Sequence, residues 1–135
     1  MKSIDMKKII TLCIICVIAL GSCTKFEEGP FVTLRTNKQR IAQTWLLEAK
    51  YDAVNGQAVS FSDNNKITFS KNGDFTNSIS GIEIKKGTWA FVGDDELLLT
   101  YTSGLQIVET YRIIKLYNDE FWIIDDDHEY HYKPY

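Results

Sequence analysis

The sequence predicts an all-β fold: a small eight-stranded antiparallel up-and-down β-barrel, entered through one short helical turn and preceded by a removable N-terminal segment. Three observations predict it. Beyond residue 33 the chain shows no long helical periodicity, only short segments of alternating apolar and polar residues. Turn dipeptides punctuate those segments closely, which pairs consecutive strands antiparallel and leaves a meander barrel or a sandwich. One strand changes phase in its middle, at Lys85-Lys86-Gly87, and a bulge there bends a strand as barrel closure requires. The barrel is the preferred solution.

The N-terminal segment reads as an address. The apolar run from Ile9 to Leu20 is shorter than the ~20 residues a membrane helix needs, and Lys7 and Lys8 give it the positive flank of a signal peptide. Ala19, Gly21 and Ser22 supply the small residues before Cys23. Leu20-Gly21-Ser22-Cys23 resembles the bacterial lipobox, in which the cysteine becomes the lipidated first residue. The expected division is therefore a lipoprotein signal peptide over 1–22, a lipidated tether over 23–33 and the barrel over 34–135. One acyl chain holds a protein only marginally, at about 0.8 kcal/mol per methylene, whereas two or more anchor it. The tether carries Glu27 and Glu28 and ends on Gly29-Pro30, which breaks regular structure. Lys25 followed by paired acids resembles the export tag of Bacteroidetes-type surface lipoproteins; the alternative is an ordinary acidic linker. Thr24 is not the aspartate associated with inner-membrane retention. The expected location is the cell envelope, lipid-anchored at the outer membrane and facing either the surface or the periplasm.

Cysteine usage fits that reading. Cys13 and Cys16 leave with the signal and Cys23 is acylated, so the exported domain keeps no thiol for a disulfide, a metal or a nucleophile. Removal of 1–22 takes Lys2, Lys7, Lys8 and Asp5, moving the net charge from −3 to −5. An acidic domain offers no basic face for nucleic acid.

Within the barrel, residues 34–43 suit a turn or two of helix capped by Thr36 or Asn37. Strands are expected at 44–51, 66–70, 74–80, 82–91, 96–102, 105–116, 120–125 and 129–133. Turns are expected at Asn55-Gly56, Asn72-Gly73, Gly93-Asp94, Ser103-Gly104 and Asn118-Asp119. Asn72-Gly73 is the sharpest, since Asn-Gly takes the positive φ angles of a two-residue hairpin turn. Ile67 and Phe69 share one face, as do Phe75 and Ile79. Eight strands close on an interior that side chains fill, or that admits one small ligand.

Several stretches carry a family likeness: "NKQRIAQTWLLEAKYDAVNG", "ITFSKNGDFT", "KKGTWAF" and "YRIIKLYNDEFWI". Together they resemble the lipocalin-like domain of Bacteroidetes-type lipoproteins, with an arginine-bearing turn before a first-strand tryptophan, a glycine hairpin and a Gly-x-Trp strand. The resemblance implies a small calycin-like barrel. It brings no catalytic or ligand residues. The first tryptophan stands in Gln43-Thr44-Trp45, where lipocalins have Gly-x-Trp.

Trp45, Leu47, Phe69, Phe75, Trp89, Phe91 and Leu99, with Ile79, are the candidate barrel-lining or ligand-binding residues; the competing reading is that they fill the core. In the late strands both phases are apolar: Tyr111, Ile113 and Phe121 in one, Ile114, Leu116 and Trp122 in the other. That pattern marks either a surface for a protein partner or a face covered by the N-terminal segment. Asp125-Asp126-Asp127-His128 lacks metal-ligand spacing and reads as a solvated turn, with His128 and His131 on opposite faces. Ser60, Ser62, Ser78 and Ser80 lack a nucleophile context, and Glu48, Glu83 and Glu109 read as outward-facing or ambiguous. The expectation is a non-enzyme without cofactor or metal: a binding module for a small apolar or glycan-type ligand. The alternative is a filled barrel acting as a structural, interaction or inhibitory surface.

Overall fold

The computed structural model describes residues 35–102 and 105–135. The signal peptide, Cys23, the tether and the Ser103-Gly104 turn lie outside them. Helix α1 (Asn37–Ile41) opens on Thr36, which is its N-cap. The Thr36 hydroxyl accepts from the Gln39 N–H at 3.3 Å and the Gln39 side chain accepts from the Thr36 N–H at 3.0 Å. This reciprocal box satisfies two donors that a helix start otherwise leaves orphaned. The helix buries Arg40 and Ile41.

Eight strands follow: β1 (Thr44–Asp52), β2 (Asn65–Phe69), β3 (Asp74–Ile79), β4 (Ile82–Val92), β5 (Glu96–Tyr101), β6 (Val108–Leu116), β7 (Phe121–Ile124) and β8 (His128–Pro134). Each pairs antiparallel with the next, and β8 returns to β1 from Trp45↔Pro134 to Asp52↔His128, so the sheet is a closed barrel. Closure leaves no edge strand exposed. Strand β6 begins three residues later than the expected 105, because residues 105–107 are irregular.

Two local expectations are corrected. At Asn72-Gly73 only the glycine has a positive φ, 95°. The Gly73 N–H donates to the Ser70 carbonyl at 3.2 Å, and the Ser70 N–H donates to the Asp74 carbonyl at 2.9 Å, so residues 70–73 make the connection. The Asn72 side chain instead accepts from the Asp74 N–H. The two-residue turn with positive φ at both positions is Ser80-Gly81, at 51° and 81°, between the paired Ile79 and Ile82.

The second correction concerns the bulge. Asn77 pairs with Lys85 but Ser78 pairs with Glu83, so Ile84 is the extra residue and the break precedes 85–87. Gly87 sits in the regular ladder, opposite Phe75 and Tyr101. It is glycine because the strands approach closely there: a Cβ would lie 1.8 Å from the Thr100 carbonyl oxygen.

A similar shift resolves the two apolar phases of the late strands. Ile113 pairs with Ile123 and Lys115 with Trp122, which makes Ile114 an extra residue. The bulge returns Leu116 to the interior, where it is fully buried with Ile113 and Phe121. The outward apolar surface expected there shrinks to Ile114 and Trp122. Trp122 lies against the His131 ring, parallel at 3.8 Å, with the Lys115 ammonium 4.4 Å from its ring centre.

Candidate functional site

An up-and-down barrel brings alternate connections to the same end. Helix α1 and the connections at 70–73, 93–95 and 117–120 share one end; the segments 53–64, 80–81, 105–107 and 125–127 share the other. Near the helix the interior is solid. Trp45 meets Phe121 at 5.3 Å, Phe69 meets Trp89 edge-on at 5.7 Å, and the two indoles donate to the Ile41 and Ser70 carbonyls at 2.9 Å each. Such satisfied, interleaved aromatics are a packed core.

The far half is hollow. A cavity of about 160 Å³ is lined by Asn65, Ile67, Phe75, Asn77, Ile84, Lys85, Leu99, Tyr101, Tyr111, Ile123, Tyr130 and Tyr132. Of the residues singled out in the sequence, Phe75 and Leu99 reach it. Trp45, Leu47, Phe69 and Trp89 are buried elsewhere in the interior, and Phe91 packs against them half-buried. The cavity therefore draws mainly on side chains that the apolar pattern did not select.

Those side chains form a polar network. Glu109 faces inward from β6, two residues before Tyr111 and four before the buried Ile113; Glu48 and Glu83 are exposed. The Tyr111 hydroxyl donates to Glu109 Oε2 at 2.6 Å and the Tyr101 hydroxyl donates to the same oxygen. Lys85 Nζ donates to Glu109 Oε1 and to the Tyr101 hydroxyl, both at 3.3 Å. Burial alone would raise the Glu109 carboxyl, but the two phenols and the ammonium outweigh it and hold the group below its usual range. Burial pushes Tyr101 and Tyr111 well above the usual phenol range, with Glu109 adding to the effect. Tyr130 moves the same way through burial and Asp125. All three are neutral donors at neutral pH.

Two asparagines complete the lining, and an acidic turn adjoins Tyr130. The Asn77 amide donates to Asn65 Oδ1 at 3.4 Å, while its own Oδ1 is buried without a hydrogen-bond partner. The amide N–H is spent on Asn65, so the carbonyl end is left unpaired, and an unmade buried hydrogen bond costs about 1–3 kcal/mol. Asp125 organises the acidic turn. Its Oδ1 accepts from the N–H groups of Asp127 and His128 at 2.8 and 2.7 Å, and its Oδ2 accepts from the Tyr130 hydroxyl at 3.3 Å. His131 faces the outside with Trp122, whereas His128 lies 6.0 Å from the Tyr130 ring. Among the described residues no three metal-ligating side chains gather.

The rim is apolar. Val54, Ile82, Ile84, Leu105, Ile107 and Val108 are exposed, and all belong to or flank the connections at the open end. Scattered exposed apolar residues are ordinary on a protein surface, and of these Ile84 also lines the cavity. The geometry suits holding a small molecule by an aromatic wall and a polar floor.

A search of curated proteins finds no match to the chain. A family model described as a lipocalin-like domain matches residues 41–123, which is more than half of the chain and runs from the end of α1 into β7. With its closed eight-stranded barrel, one short helix at the filled end and a hollow opposite end, this chain belongs to the lipocalin-like domain family.

Proposed function

We propose that the protein is an envelope lipoprotein whose barrel binds one ring-sized molecule in its open half. The observation that carries the reading is the Asn77 Oδ1 atom, buried without a partner in a strand that also lines the cavity. A carbonyl in that position is completed by a ligand's donor. The size is instructive. At about 160 Å³ the cavity falls below the ~300 Å³ of ordinary ligand pockets and is close to the ~150 Å³ that admits benzene. One ring fits, either an apolar body or a single glycan residue, with any remainder leaving through the mouth. Ile67, Phe75, Leu99 and Ile123 suit its face, and the amides and phenols suit its edge.

Acylation of Cys23 would hold this barrel at the outer membrane. In an exporting bacterial host the Cys23→Ser chain is expected in the soluble fraction after a carbonate wash, still folded by circular dichroism. If it sediments with the membranes, the anchor reading is wrong. The binding reading is tested by native mass spectrometry of the protein purified from the same host. A co-purifying small molecule, lost in Asn77→Leu, is the expected result. A bare mass, together with a melting temperature unmoved by ring-sized probes, overturns the reading in favour of a surface module with no ligand.

A further inference from the structure

The hollow half already contains an ammonium ion, its own. Lys85 Nζ lies 3.3 Å from Glu109 Oε1, 3.3 Å from the Tyr101 hydroxyl and 4.9 Å from the centre of the Tyr101 ring. Both polar contacts are longer than a well-made N–H···O bond, and the lysine side chain is 48% exposed. It is a long flexible side chain, loosely held at the mouth. On Glu109, Oε2 is taken by two phenols, while Oε1 is held by Lys85.

Besides amide and ammonium donors, the cavity keeps acceptors to spare. Asn77, directly across the β3–β4 ladder from Lys85, has a buried carbonyl without a partner. The Tyr111 and Tyr130 hydroxyls spend their protons on Glu109 and Asp125 and present lone pairs. A molecule that completes these acceptors must bring donors. An anion could pair with Lys85 but would lie close to Glu109, which bonds to Lys85, Tyr101 and Tyr111 of the lining; a neutral ring would leave the loose Lys85 pair in place.

We propose that the cavity is a site for a small organic ammonium ion of one-ring size, which displaces the Lys85 ammonium from Glu109 Oε1 and the Tyr101 ring. The proposal rests on the barrel being a small-molecule binder and adds the charge of the occupant. Neutral phenols with negatively charged neighbours support it, since their faces attract cations and their oxygens accept from N–H groups.

The test is calorimetric titration of the full chain with benzylamine, protonated at neutral pH, beside its neutral and anionic counterparts benzyl alcohol and benzoate. Benzylamine is expected to bind at least about tenfold tighter than benzyl alcohol, and benzoate not at all. Lys85→Met should tighten benzylamine several-fold, because the resident competitor is gone, and Glu109→Gln should abolish the preference for charge. Equal affinities for benzylamine and benzyl alcohol overturn the proposal while leaving the binding reading intact. So does weaker benzylamine binding in Lys85→Met, which makes the lysine part of the site instead of its competitor. If none of the three binds, and methyl glucoside does not either, both the proposal and the binding reading fall. The wild-type series and Lys85→Met decide the matter even if Glu109→Gln fails to fold.

Discussion

Three tryptophans occupy three different environments, and the environment sets what each removal costs. Trp45 is fully buried against Phe121 and its indole N–H is satisfied by Ile41. Trp89 is buried against Phe69 and bonded to the Ser70 carbonyl. Neither lines the cavity, so that space does not absorb the loss, and alanine at either position should cost about 3–5 kcal/mol. Trp122 lies outside the barrel between the His131 ring and the Lys115 ammonium. Its removal forfeits a stack and a cation–π contact, about 1–2 kcal/mol. Urea denaturation of the three variants checks the order, and equal mild effects at all three would refute the solid core near α1. The inward phase of Trp45 and Trp89 was legible from their alternation with Leu47 and Phe91. So, with more careful counting, were the polar cavity residues. Asn77 stands two beyond Phe75, Tyr101 two beyond Leu99, and Glu109 four before Ile113. A search for apolar residues passes over them because burial of polar groups leaves no hydropathy signal.

Strand limits were readable to within a residue or two almost everywhere, because glycine and asparagine dipeptides end strands for local steric reasons. Bulges were not. One extra residue in a ladder changes pairing without changing composition, and Ile84 and Ile114 look like any strand isoleucine. The consequence reaches the site. With the break placed over 85–87, Lys85 has no assigned face; with the break at Ile84, Lys85, Gly87, Trp89 and Phe91 share the inward phase. The β3–β4 turn was missed for a different reason: Ser80 is an unusual residue at a φ of 51°. Asparagine tolerates that conformation better and makes the favoured Asn-Gly pair. Ser80→Asn is therefore expected to stabilise the barrel by about 0.5 kcal/mol. A higher denaturation midpoint at unchanged slope confirms it, and a loss of stability would mean that the serine hydroxyl, 3.5 Å from the Asp63 carbonyl, matters more than the backbone.

At the scale of the whole molecule, one half of the barrel is filled by rings and the other is built around ionisable groups whose proton affinities depend on the fold. That division makes stability a function of pH with a calculable sign. Burial raises Tyr101, Tyr111, Tyr130 and Tyr132, so the folded chain keeps phenolic protons that the unfolded chain gives up. Their contribution is whole below the ordinary tyrosine value of about 10 and is lost as pH rises above it. Glu109 works in the opposite direction. Its lowered affinity for a proton stabilises the fold above the ordinary glutamate value of about 4.3 and is lost as pH falls below it. Between the two lies a plateau. On the alkaline side the four phenols should ionise together with unfolding, so that their share of the tyrosinate absorbance and the near-ultraviolet dichroism of the core tryptophans change in one transition. Tyr111→Phe should soften that transition, since it removes one raised phenol, and should soften the acid limb, since it removes one of the hydroxyls that hold Glu109 down. Smooth ionisation of all tyrosines near pH ~10 with the dichroism intact would show an interior open to hydroxide, and the network around Glu109 would then be exposed to solvent instead of closed inside the barrel.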